Sequence, residues 1–181
     1  MEVMIINGSP RTKGSCSFIS NELLKKYSTE EKVDYLQLNK LNYKGCQACY
    51  SCKKNADSCI VKDDIEKVLK DIQHYDLIII LSPNYYCFIS GQLKLFLDRW
   101  FCLKDENRRS RFEKKSKVFF ILTQGSPNAD ISKNIMDYLN RVISSFNLKF
   151  YGYTVPSCSK DNLDMMKFKI KDIFLHMDMF E

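Results

Sequence analysis

The stretch DLIIIL, residues 76 to 81, is apolar without a break after its first residue. A strand with one wet face alternates apolar and polar side chains. One that is apolar on successive residues presents hydrocarbon to both faces and must be covered on both. Two further runs have the same character: VMII at residues 3 to 6 and VFFILT at 118 to 123. VDYLQL at 33 to 38 alternates as a strand does, and residues 148 to 154, LKFYGYT, supply a last one. Segments with helical spacing lie between them. Residues 15 to 27 place Phe18, Ile19, Leu23 and Leu24 on one side. Asp63 or Asp64 can cap a helix running to about residue 73, with Ile65, Val68, Leu69 and Ile72 apolar. Ser90 can cap GQLKLFLDRW; residues 131 to 146 turn Ile135, Leu139, Val142 and Ile143 inward; residues 163 to 177 form a closing helix.

Five strands alternating with five helices predict an α/β fold, a parallel sheet with helices on both faces. Right-handed crossovers leave few topologies, and the order 2-1-3-4-5 is the expected one. In such a sheet the ligand site lies beyond the C-terminal ends of the strands, where the order reverses. No linker composition interrupts the pattern, so residues 1 to 181 read as one domain.

The net charge of +6, from 28 Lys+Arg against 22 Asp+Glu, is mild. The cations are scattered except in RRSRFEKKSK, residues 108 to 117, which reads as a solvated loop. This balance suits an anionic small ligand and gives no clustered face for a nucleic acid. The N-terminal MEVMIING enters a core strand directly, without the pattern of a signal peptide, and no apolar run approaches the ~18 residues of a membrane span. A cytoplasmic location is therefore expected. There thiols stay reduced, so the eight cysteines are not read as a disulfide framework.

Three loops meet at the predicted crevice. NGSPRTKGSCS, residues 7 to 17, joins a strand to a helix with hydroxyls, small residues and the cations Arg11 and Lys13. Amides at a helix N-terminus bind anions, and Ser9, Arg11, Ser15 and Ser17 can add donors, which makes a phosphate site; an ordinary strand–helix turn is the plainer alternative. Lys13 precedes Gly14, so the loop is no Walker A sequence, and it does not fit G-x-G-x-x-G. After the third strand, Asn84, Tyr85, Tyr86 and Phe88 suit a flat heterocycle, or else they simply cover the sheet end. After the fourth, Thr123, Gln124 and Ser126 offer hydrogen bonds beside Gly125. Together the loops describe a site for a phosphate joined to a flat aromatic ring.

Residues 46 to 59, CQACYSCKKNADSC, hold four cysteines as C-x2-C-x2-C-x6-C. Four thiolates from one compact loop can hold an iron–sulfur cluster. Zinc sites more often come as two C-x2-C pairs with a longer spacer. Cluster, zinc and no metal all stay open at this point. Cys87, Cys102 and Cys158 read as buried small hydrophobes. Cys102 and Arg108 match C-x5-R, but Asp105 and Glu106 between them would repel a phosphate.

GSPRTKGS, SPNYYCFISGQLKLFLDR and TQGSP resemble the NADPH-dependent FMN reductase family of flavodoxin-like proteins over roughly residues 1 to 155. The block from Ser82 to Arg99 is the most specific piece, through Ser82, Pro83, Tyr85, Ser90, Gly91 and Asp98 among others. The resemblance implies a flavodoxin-like three-layer sandwich that binds FMN without a covalent bond. It implies that Ser9, Arg11, Ser15, Cys16 and Ser17 hold the phosphate. Pro83, Asn84, Tyr85, Tyr86 and Cys87 would line the ring, with Thr123, Gln124 and Gly125 on its other side. Ser15-Cys16 stands where the family often has Asn-Thr, and a thiol is the poorer donor. The four-cysteine loop is similar to that of the family's iron–sulfur flavoproteins, which implies a [4Fe–4S] cluster on Cys46, Cys49, Cys52 and Cys59. The implied activity is an NAD(P)H-dependent FMN oxidoreductase acting on a flavin, quinone, nitro or azo compound. The alternative is an electron carrier between protein partners. A homodimer is also implied; a membrane or nucleic-acid partner is not.

Overall fold

The computed structural model describes residues 1–54, 58–158 and 163–180. Its centre is a five-stranded parallel sheet of order β2-β1-β3-β4-β5, built from β1 (Glu2–Asn7), β2 (Lys32–Gln37), β3 (Leu77–Pro83), β4 (Lys117–Thr123) and β5 (Lys149–Val155). The helices are α1 (Ser15–Lys26), α2 (Glu66–Asp71), α3 (Gly91–Arg99), α4 (Lys133–Ser144) and α5 (Leu163–Phe180). This is the expected flavodoxin-like topology. Among the described residues no helix is long and apolar enough to cross a membrane.

The two-residue period of the strands sorts the core into two slabs. Ile6, Ile78, Ile80 and Phe120 pack against Leu69 of α2, Phe96 of α3 and Leu139 of α4. Their neighbours Ile5, Ile79 and Phe119 face the other way, onto Ile19 of α1 and Ile173 of α5. All seven residues of β3 are buried, as the unbroken apolar run required. β2 is half exposed, because an edge strand has one neighbour and less cover.

Among the boundaries that depart from the sequence reading, α5 runs on to Phe180, and two helix starts have a visible cause. α2 begins at Glu66 and no side chain caps it. The carboxylates expected to cap it are used elsewhere: Asp63 pairs with Arg99, and Asp64 accepts the Asn42 amide at 2.7 Å. α4 begins at Lys133, two residues later than the pattern suggested, because Ala129–Ser132 form a short 3-10 turn first. Ser90 does cap α3, its hydroxyl accepting the Leu93 amide at 3.2 Å.

Candidate functional site

The loop between β1 and α1 is held from beneath by its own polar residues. The Asn7 side-chain amide reaches Ser17 Oγ (3.2 Å), the Tyr35 hydroxyl (3.1 Å) and Gln37 Oε1 (2.9 Å), while its carbonyl accepts the Ser9 amide at 2.9 Å. Gln37 in turn donates to the Ser9 carbonyl at 2.6 Å. Ser90 donates to the Gly8 carbonyl at 2.6 Å, which ties this loop to the one after β3. A Cβ at Gly8 would lie 2.8 Å from Leu93 Cβ and 3.0 Å from the Leu81 carbonyl, so only glycine lets the loop pass this close.

The loop so fixed leads into α1, whose N-terminus has no side-chain cap and no acidic residue in its first turn. Helix amides without partners, together with the helix dipole, attract an anion. Ser9, Arg11, Gly14, Ser15 and Cys16 line the crevice at this point. Ser17, expected among the phosphate donors, is turned inward: its hydroxyl donates to the Arg11 carbonyl at 2.9 Å and accepts from Asn7. Cys16 is buried with its sulfur 3.3 Å from Thr123 Oγ1, and burial pushes its thiol up to about 12. It is a packed, protonated thiol, not a nucleophile.

The same crevice is lined by Pro83, Asn84, Tyr85, Thr123, Gln124, Gly125 and Cys158. Its enclosed part is about 100 Å³, room for a phosphate and little more, so a three-ring system has to lie along the rim. At that rim Tyr85 and Phe88 exchange backbone hydrogen bonds of 2.8 and 3.0 Å around Tyr86 and Cys87. Both turn residues have positive φ, 48° and 59°, a pairing that normally asks for Asn or Gly. The turn leaves Tyr86 fully exposed and Cys87 exposed rather than buried as expected. Such strain in two side-chain-bearing residues is characteristic of binding sites. Asn84 donates to Gln124 Oε1 at 3.3 Å, which leaves its own buried carbonyl oxygen without a donor. That orphan, on the crevice wall, fits the N–H edge of a heterocycle.

The cysteine loop lies apart, over the C-terminal end of α3. Cys46, Cys49, Cys52, Cys59 and Cys102 line one small cavity together with Arg99. The loop is closed at both ends by the Arg99 guanidinium, whose side chain is fully buried. It donates to the Lys44 carbonyl (2.9 Å) on the entering segment, and to Asp63 (2.7 Å) and the Val61 carbonyl (3.2 Å) on the leaving one. Its Nε finds no acceptor, and the Cys59 thiol lies beside the group. Ala48 and Tyr50 take positive φ (52° and 57°), bending the chain around the thiols. Burial pushes the Cys52 thiol up, Lys53 draws it down, and Cys59, Cys46 and Cys49 push it up again, so the four sulfurs feel one another. The exposed Cys49 thiol is lowered by the Ser51 amide and hydroxyl. Among the described residues no three Cys, His, Asp or Glu side chains gather as a single-ion site. A lone zinc needs its sulfurs ~2.3 Å from one centre, whereas a cluster spreads its ligands over several irons. Four thiols and a buried guanidinium around one cavity are a donor set that either a cluster or a zinc ion could take.

The family model described as NADPH-dependent FMN reductase matches residues 1–142. The chain belongs to this family. Among curated relatives, an iron–sulfur flavoprotein of Methanosarcina thermophila is 29% identical over 91% of this chain and 88% of its own length. One of Archaeoglobus fulgidus is 27% identical over 86% of this chain and 68% of its own. Against two further iron–sulfur flavoproteins, from Methanocaldococcus jannaschii, the chain spans about half of their length (51% and 50%). Among solved structures, an NAD(P)H:quinone oxidoreductase of Methanothermobacter marburgensis superposes with a TM-score of 0.79 at 13% identity, over 96% of this chain and 93% of the other, which speaks for the fold.

The crevice thus brings together ten of the thirteen cofactor residues expected from sequence, and leaves Ser17, Tyr86 and Cys87 outside its enclosed part. Sequence reasoning missed Cys158, which reaches the crevice from beyond β5, its amide donating to the Gln124 carbonyl at 2.8 Å. It also missed Arg99 as the clasp of the cysteine loop. An arginine next to an aspartate at the end of an apolar helix was the signal, but nothing local points to partners 36 and 55 residues away.

Proposed function

We propose that the chain is an NAD(P)H-dependent FMN oxidoreductase that carries a [4Fe–4S] cluster on Cys46, Cys49, Cys52 and Cys59. The observation that carries the cluster is the shared cavity of four thiols closed by the buried Arg99. FMN supplies a centre that takes two electrons and returns them singly, and a cluster supplies a one-electron relay.

The residues have distinct tasks. The open amides of α1 with Ser9, Arg11 and Ser15 hold the phosphate dianion. Asn84 Oδ1 accepts from the ring edge, and Tyr85 with the exposed Tyr86 covers the ring face. Thr123, Gln124 and Gly125 set the opposite wall, with Gln124 fixed by donation to the Asn128 carbonyl at 2.7 Å. Arg99 offsets thiolate charge and holds the loop ends together. No side chain of the crevice is asked to move a proton. A homodimer in which a second copy covers Tyr86 is part of this reading, as is a cytoplasmic location that keeps the thiols reduced.

The test is protein purified without oxygen, with its visible spectrum, iron, acid-labile sulfide and NAD(P)H oxidation measured on one sample. Flavin with about four irons per chain supports the reading. Flavin without iron removes the cluster and leaves an FMN reductase. Flavin and iron without NAD(P)H oxidation leave an electron carrier between proteins. A colourless chain that does not take up FMN overturns the whole assignment.

A further inference from the structure

A second cavity, about 520 Å³, opens between the cysteine loop, α3 and α4. That is within the ~300–1,000 Å³ of small-molecule sites. Its floor is apolar and largely aromatic: Leu97, Phe101, Tyr138, Val142 and Phe146. One wall is the cysteine loop itself, through Cys46, Ala48 and Tyr50. Tyr50 is more than half exposed and stands edge-on to Phe101, ring centres 5.7 Å apart. Cys46 lines both this cavity and the cavity of the four thiols.

Two cations stand at the rim, and the carboxylates near them are engaged elsewhere. The Lys104 ammonium lies 4.6 Å from the centre of the Phe146 ring and donates to the Ser145 hydroxyl at 2.9 Å. Arg108 is presented by a turn in which its own φ is 62°. The Asp105 carboxylate of that turn is taken by the Arg109 amide at 2.7 Å. Asp98, the acidic residue on the cavity wall, is paired with Lys94. Asp105 and Glu106, which would repel an anion, are not among the residues that line the cavity, and burial and the nearby Arg108 both lower the Lys104 ammonium. An aromatic slot with two cations at its mouth selects a flat ring system bearing an acidic group.

We propose that this cavity binds a flat aromatic anion, a quinone bearing a sulfonate or carboxylate, as the electron acceptor at the cysteine loop. The overall exchange is NAD(P)H plus quinone plus one proton giving NAD(P)+ and hydroquinone; two electrons and one proton come from the donor, the second proton from water. The acceptor role rests on the cluster reading above; the binding does not.

The experiment uses the FMN-loaded protein, titrated calorimetrically with anthraquinone-2-sulfonate and with its uncharged counterpart 2-(hydroxymethyl)anthraquinone. One equivalent of the sulfonate should bind, more tightly than the uncharged compound. Arg108→Glu, at an exposed turn position, should weaken the sulfonate about tenfold and leave FMN affinity unchanged. In NAD(P)H-driven reduction of the same compound, Arg108→Glu should raise KM by a similar factor with kcat kept. Competition between the sulfonate and FMN, or binding indifferent to Arg108→Glu, overturns the site. Binding with the expected Arg108 dependence but an unchanged KM overturns the acceptor role. Loss of iron from the purified protein with binding intact would count against the cluster reading alone.

Discussion

The phosphate loop and the cysteine loop are both irregular chain, yet they are built in opposite ways. The first is supported along its length: Asn7, Ser17 and Gln37 form a buried hydrogen-bonded group beneath it, joined by the hydroxyl of the exposed Tyr35, and Ser90 ties it to the neighbouring loop. The second is gripped at its ends by one guanidinium and at one point between them by Lys53, which donates to the Phe101 and Lys104 carbonyls, while Cys46 and Cys49 are exposed. A site for a phosphate can be complete before its ligand arrives, because amides and a helix dipole exist without it. A site of thiolates cannot, because like charges gathered in one cavity repel until a metal offsets them. The two loops therefore differ in what a single substitution should do.

The largest effect is expected at the clasp. Asp63→Ala strands the buried Arg99 charge and should cost about 3–5 kcal/mol in urea unfolding of the iron-free protein. A loss under 1 kcal/mol would mean the cysteine loop is held by something other than its ends. Next comes Arg11→Gln, which should weaken FMN roughly tenfold while riboflavin, lacking the phosphate, binds as before. An equal loss for both would place Arg11 at the ring and break the assignment of this loop. Gly8→Ala forces a methyl against Leu93 Cβ at 2.8 Å, and about 1–3 kcal/mol should be lost in thermal unfolding, with FMN affinity falling alongside. If stability fell and FMN affinity did not, the support beneath the loop would not be what shapes the crevice.

The smallest effect at neutral pH is in thiol chemistry. In iron-free protein at pH 8, iodoacetamide should label Cys49 before Cys16 or Cys102, whose thiols burial pushes up to about 12 and about 11. Both buried values lie above the ordinary 9.0, so these thiols stabilise the folded chain fully below pH 9. That contribution should fade as pH rises toward 11 and 12, visible as a falling unfolding midpoint. Fast labelling of Cys16 at pH 8 would contradict its packing against Thr123.

That the three loops would meet in one crevice was legible because their parts are local. Each loop follows a strand that announces itself by an unbroken apolar run, and a parallel sheet brings the loops after β1, β3 and β4 to one edge. The exceptions share a cause. Ser17 has the right chemistry and the right place, but whether a hydroxyl points to the crevice or to Asn7 is settled by packing. Cys158 was read as a small hydrophobe because nothing near it in the chain indicates that β5 delivers it to the crevice. Asp63 and Asp64 looked like helix caps by sequence spacing, and lost that role to partners on α3 and on the segment entering the cysteine loop.

By itself, then, the sequence determined the layered fold, the strand order, the meeting of the loops after β1, β3 and β4, and the grouping of four cysteines, since each depends on periodicity or spacing within a short segment. The tertiary structure alone decided that Arg99 clasps the cysteine loop, that Tyr86 stands exposed on a strained turn, and that a cation-rimmed aromatic cavity adjoins Cys46. Those features join segments tens of residues apart, and such contacts are selected by the free energy of burying charge and closing cavities, which no local pattern records.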